Sequence, residues 1–147
     1  MVILSNFSER LDELLFEQGM NAHHFAKEMG YYPSSVGKYL KGERLPSVKI
    51  AVEIADRFSV SVDYLLGLEE ENTRTAFYPC PPFGERMETL LKEFGYTKYS
   101  FVKKSGINEN CLYDWLSGKH TPSLESVVTI AQFFNRSVDF VLGRTTE

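Results

Sequence analysis

Apolar residues recur at helical spacing through most of the chain, and the same pattern is written twice. In the first copy Phe7, Leu11, Leu14 and Leu15 fall on one face of a helix that Gly19 is placed to stop. Asn21 is a good N-cap for a second helix, Ala22–Met29, with Phe25, Ala26 and Met29 expected inside, and Gly30 breaks it. A third helix is predicted from Pro33 to about Lys41; a proline suits a first turn, where its missing N–H does no harm. Its inward residues are Val36, Tyr39 and Leu40. Gly42 ends it, and Leu45-Pro46 forces an extended link into a fourth helix over 47–58, which carries Ile50, Ile54, Ala55 and Phe58. Ser61 caps a short fifth helix with Val62, Leu65 and Leu66, closed by Gly67. Nothing in the pattern reads as a strand.

Residues 7–67 recur as 83–143 at a constant offset of 76 residues, without a gap. Phe7 pairs with Phe83, Leu14-Leu15 with Leu90-Leu91, Phe25 with Phe101, and Gly30 with Gly106. Gly42, Pro46-Ser47 and Ser61-Val62-Asp63 pair with Gly118, Pro122-Ser123 and Ser137-Val138-Asp139. A self-match of this length means one helical unit used twice. The expected organisation is all-α, with a domain at 1–67, a linker at 68–82 and a second domain at 83–147. Each domain has a size at which folding margins are thin. In the linker, Glu69-Glu70-Glu71 precedes a proline-stiffened stretch, in which Phe77 and Tyr78 are expected to dock against a domain.

Composition narrows the function classes. No apolar run approaches the roughly 20 residues that span a membrane, and Met1-Val-Ile-Leu lacks the length and basic flank of a signal peptide. Cys80 and Cys111 make neither a metal spacing nor a disulfide framework, which fits a reduced, cytoplasmic protein; Cys111 is expected as a buried or half-buried filler. The net charge of −4 lies in the first half: residues 1–70 hold 7 Lys/Arg against 11 Asp/Glu, while 71–147 balance at 9 against 9. An acidic total disfavours nonspecific nucleic-acid binding, but the placement of the basic residues decides the matter. His23-His24 point apart on a helix, so a metal site is not expected. No phosphate loop, carboxylate pair or activated nucleophile is present, so neither an enzyme nor a cofactor is expected.

The informative stretch is 22–41. Its apolar residues, the small Ala26 and the Gly30 turn describe two helices crossing steeply over a short connection, a helix-turn-helix. Together with Gly42-x-x-x-Pro46-Ser47 and Ser61-Val62-Asp63-Tyr64-Leu65-Leu66-Gly67, each copy resembles, nearly end to end, the lambda-repressor-like Cro/CI (XRE) family of DNA-binding domains. The resemblance implies two tandem five-helix helix-turn-helix domains. It also implies a second helix whose start rests on phosphates, and a third helix whose N-terminal residues enter the major groove. Carried onto the first copy, Tyr32, Pro33, Ser34, Gly37, Lys38 and Lys41 would face the groove, with Ala22, His23 and Arg44 near phosphates. Gly37 reads either as a gap that lets the backbone approach DNA or as a tolerated surface glycine.

The second copy departs from the pattern, with Val102 and Ser105 at positions that favour a small and an apolar residue. Its third helix, 108–117, gains an N-cap in Asn108 and a core anchor in Trp115. A weaker DNA surface would comprise Lys98, Asn108, Glu109, Asn110, Tyr113, Lys119 and His120. Asparagines suit adenine and Glu109 can accept from cytosine N4, but Asp114 stands where the first copy has Lys38. Double-stranded DNA is thus the expected partner of a sequence-specific regulator, most simply a repressor, with no small-molecule domain. Linked copies can replace dimerisation, and a homodimer would give four units. The alternative is a protein-interaction or antitoxin-like module with reduced DNA binding, above all in the second copy.

Overall fold

The computed structural model describes residues 2–147 and divides into two compact units, the first ending at Thr75 and the second starting at Ala76. Ten helices and no strand occur among the described residues. The first unit holds α1 (Val2–Glu17), α2 (Ala22–Met29), α3 (Pro33–Leu40), α4 (Val48–Phe58) and α5 (Val62–Leu65). The second repeats the order as α6 (Phe83–Glu93), α7 (Lys98–Ser105), α8 (Glu109–Ser117), α9 (Leu124–Phe134) and α10 (Val138–Leu142). None of these helices is long and apolar enough to cross a membrane.

The caps fall where local chemistry put them. Asn21 Oδ1 accepts from His24 N–H at 2.7 Å, and Ser47 and Ser61 accept from Ile50 and Tyr64 N–H. Ser123 and Ser137 repeat the last two contacts in the second unit. Each cap satisfies an amide that the helix itself leaves orphaned. Phe7, Leu11, Phe25, Val36, Ile54 and Leu65 close the first core, with no exposed surface left on any of them. Met29, Leu40 and Phe58, each the last residue of its helix, and Ile50 stay half-buried where full burial was expected.

Two arginines set the register of the first and last helices. Arg10 on α1 donates to the Tyr64 carbonyl at 3.1 Å and lies 4.0 Å over the Tyr64 ring. Arg86 on α6 donates to the Phe140 and Val141 carbonyls at 2.5 and 3.2 Å and sits 4.8 Å over the Phe140 ring. Burial lowers the Arg86 pKa, because fewer waters remain to solvate the charge.

The 68–82 stretch is held by both units. Asn72 accepts from Ser61 N–H and donates to the Ser59 carbonyl, each at 3.1 Å. In the second unit, Tyr78 N–H donates to the Arg144 carbonyl at 2.9 Å, and the Arg144 guanidinium covers the half-buried Phe77 ring at 4.0 Å. Phe77 therefore docks, whereas the Tyr78 side chain does not and remains 62% exposed. Arg144 is buried and paired with the buried Asp139. The first unit has Leu68 at the matching place.

Candidate nucleic-acid interface

The third helix of each unit is positioned by the helix before it and by the first helix of its unit. The α2–α3 turn is made by Gly30, held in the left-handed region at φ 74°, so that Tyr31 N–H reaches back to the Ala26 carbonyl at 2.8 Å. Tyr31 then packs edge-on against Phe25 and donates its hydroxyl to Glu53 at 2.7 Å. Burial, and after it the Glu53 contact, raises the Tyr31 pKa, so the phenol stays a proton donor.

The far end of the third helix is anchored differently in the two units, at one paired position. In the first unit, Ser8 on α1 donates to the Leu40 carbonyl at 2.7 Å. In the second unit that position is Gly84, where a Cβ would come within 2.7 Å of the Trp115 carbonyl oxygen and 2.8 Å of that of Leu116. A hydrogen bond is replaced by direct backbone approach, which only glycine permits. Neither residue was singled out from the sequence. A small residue at that position in both copies was the available signal.

On α3, Val36 and Tyr39 turn inward, and Tyr32, Pro33, Ser34, Lys38 and Lys41 are exposed on the other face, with Gly37 half-buried among them. The first turn contains no acid, and no side chain caps its amides. That end of α3 therefore keeps the positive pole of its dipole available to an anion. Arg44 is exposed and steered toward α3, donating to Ser35 Oγ at 3.0 Å and lying 5.8 Å from the Tyr39 ring centroid. Ala22 begins α2 half-buried, and His23 beside it is exposed. All nine expected DNA contacts of the first unit thus lie on α2, on α3 or in the segments that flank α3.

The second unit answers the same positions with other chemistry. Asn108 Oδ1 accepts from Asn110 and Cys111 N–H at 2.8 and 3.4 Å, so its carbonyl is spent on the cap. In this arrangement the Asn108 side chain has its NH2 donors left over, and Asn110 is exposed. Glu109 sits in the first turn, where the helix dipole favours a carboxylate. Tyr113 is exposed, and the Lys98 ammonium lies 5.8 Å from its ring centroid. Asp114 has found a partner: its Oδ2 lies 3.1 Å from His120 Nδ1. Lys119 is exposed. Cys111 is exposed too, against the expectation of a buried filler. Leu112 and Trp115 define the core face of α8, and the residue before Leu112 is rotated by about 100° from it.

Comparison with known families agrees with this geometry. The helix-turn-helix family model matches twice, over residues 12–65 and 87–141, so each unit carries one match and together they cover most of the chain. The chain belongs to the Cro/CI-type (XRE) helix-turn-helix family, a DNA-binding family, and is a tandem member of it. No curated protein and no solved structure matches the chain.

Proposed function

We propose that the chain is a sequence-specific transcriptional regulator that represses by occupying its site on cytoplasmic DNA, with α3 of the first unit in the major groove. The observation that supports this most is the exposed face of α3. Ser34, Lys38 and Lys41 stand on it, Arg44 is steered beside it, and its first turn holds no acid. Ser34 and Lys38 offer hydrogen bonds to base edges, and Lys41, Arg44 and His23 offer contacts to phosphates. Covalent linkage supplies the second reading helix that relatives of this fold gain by dimerising, and because the two helices differ, the bound site is asymmetric. A homodimer of the chain would present four units to a longer site.

A second reading attaches to α8. Asp114 stands where the first unit has Lys38 and is paired with His120, and Glu109 adds an acid where the first unit has Pro33, which suits a unit that contacts protein or contributes little to DNA affinity. Binding to genomic fragment libraries at two salt concentrations tests both readings. Specific binding should weaken steeply with salt as phosphates regain their counterions. Absence of any bound fragment at low salt would remove the regulator reading and leave the protein-interaction or antitoxin-like one.

A further inference from the structure

Gly37 lies on the exposed side of α3, and the fold does not explain why this position is a glycine. It adopts ordinary helical backbone, unlike Gly19, Gly30, Gly42 and Gly67, which all have positive φ. A methyl group added there would meet nothing within 4 Å beyond its own chain neighbours and helix backbone. Glycine in a helix interior is unfavourable relative to alanine, so local stability argues against it. Neither a turn, a close packing contact nor helix propensity accounts for the residue. Its neighbours on the helix surface, one turn before and after, are Pro33, Ser34, the half-buried Leu40 and Lys41, with Lys38 adjacent in sequence. Gly37 is therefore a bare patch of backbone inside the face that carries the proposed base contacts.

The second unit fills the same position with Tyr113, 46% exposed. Its ring helps line a groove between α7 and α8 together with Lys98, Tyr99, Val102, Lys103 and Glu109. Lys98 lies over the Tyr113 ring and Lys103 over that of Tyr99 at 5.6 Å, donating to its hydroxyl at 3.3 Å. One unit thus offers an empty volume and the other an aromatic ring braced by a cation.

We propose that Gly37 is a specificity-determining position: its bare Cα admits a base edge to van der Waals contact, and the Tyr113 ring excludes that contact from the second unit. This rests on the DNA-reading function of α3 proposed above. A base carrying an apolar projection into the major groove, thymine with its methyl group, is the chemistry that a side-chain-free helix surface accepts.

The test is Gly37→Ala in the full chain, read by thermal denaturation and by sequence selection from a randomised DNA library. The folded state should gain a few degrees in Tm, because alanine is the better helix residue. Affinity for the preferred site should fall roughly tenfold, with preference relaxed at one base pair and kept at the others. Gly37→Tyr, carrying the second unit's side chain, should lose that site altogether while keeping its helical circular dichroism. A Gly37→Ala chain that binds every sequence as the unsubstituted chain does would overturn the proposal, as would a uniform loss across all sequences. If the unsubstituted chain selects no sequence at all, the DNA-reading function has failed, which is a different result from either.

Discussion

The two units place their helices, caps and turns in step, yet almost every exposed position of their third helices differs. Asn21, Ser47 and Ser61 cap in the first unit as Thr97, Ser123 and Ser137 do in the second. Ser59 and Asn135, the two non-glycine residues with positive φ among the described residues, are also paired. Against that agreement, Pro33, Ser34, Gly37 and Lys38 stand opposite Glu109, Asn110, Tyr113 and Asp114. Backbone geometry and core volume constrain the first set, because a missed cap or a misplaced turn costs stability directly. No such constraint acts on a solvent-facing side chain, so the exposed face of the third helix is free to diverge on a fixed scaffold.

The cores diverge in a way that gives the largest expected effect. Phe101 has rings of Tyr96, Phe133 and Phe134 around it, whereas among the described residues the paired Phe25 has the rings of Tyr31 and Phe58. Phe101→Ala should cost about 3–5 kcal/mol, and Phe25→Ala should fall near the lower end of that range. Trp115 is the single tryptophan and lies in the second unit, so its fluorescence during urea unfolding isolates that unit, while helical circular dichroism follows both and gives the first by difference. Equal costs at the two positions would show that the extra aromatic neighbours add nothing.

Next in size is the anchor of the third helix. Gly84→Ala drives a Cβ into two carbonyl oxygens of α8 and should destabilise the second unit by about 1–3 kcal/mol. Ser8→Ala at the paired position removes one hydrogen bond and should cost about 1 kcal/mol. Denaturation midpoints of the two variants decide whether the same position is held by closeness in one unit and by a hydrogen bond in the other.

How much of this was legible in the sequence follows from the range of each interaction. Helices, caps and turns are local, and Asn21, Gly30, Pro33 and Ser61 announce them within four residues. The face of α3 was legible because Val36 and Tyr39 fix which side is inward. Contacts between distant residues were not: Arg10 with Tyr64, Arg86 with Phe140, and Ser8 with Leu40 join elements that periodicity treats separately. The spent carbonyl of Asn108 and the pairing of Asp114 with His120 were likewise invisible, since each depends on where one side-chain atom points. Cys111 misled because thiols usually pack inside, whereas the phase of α8 puts this one outside.

The smallest effect concerns acid. In the first unit Glu28 pairs with Arg57 at 2.5 Å, and this hydrogen bond holds the carboxyl below its ordinary value of 4.5. The second unit has Lys104 and Phe133 at those positions, so the pair has no counterpart there. A carboxylate with a depressed folded-state pKa contributes stability that is present above the unfolded value and lost as pH falls through the folded one. The stability difference between the unsubstituted chain and Glu28→Gln should therefore be small near neutrality and vanish below the folded pKa. A difference that stays constant through the acid range would mean that the pair does not act through ionisation.

The division of labour between the two third helices is tested most directly by exchanging the charge at their paired positions. Lys38→Glu and Asp114→Lys should be titrated, as full chains, against the tightest-binding genomic fragment at two salt concentrations. Lys38→Glu should abolish specific binding, and Asp114→Lys should leave it unchanged or tighten it, with a steeper salt dependence from the added cation. Retained binding by Lys38→Glu, together with its loss in Asp114→Lys, would put the reading surface on α8 and contradict the assignment to α3.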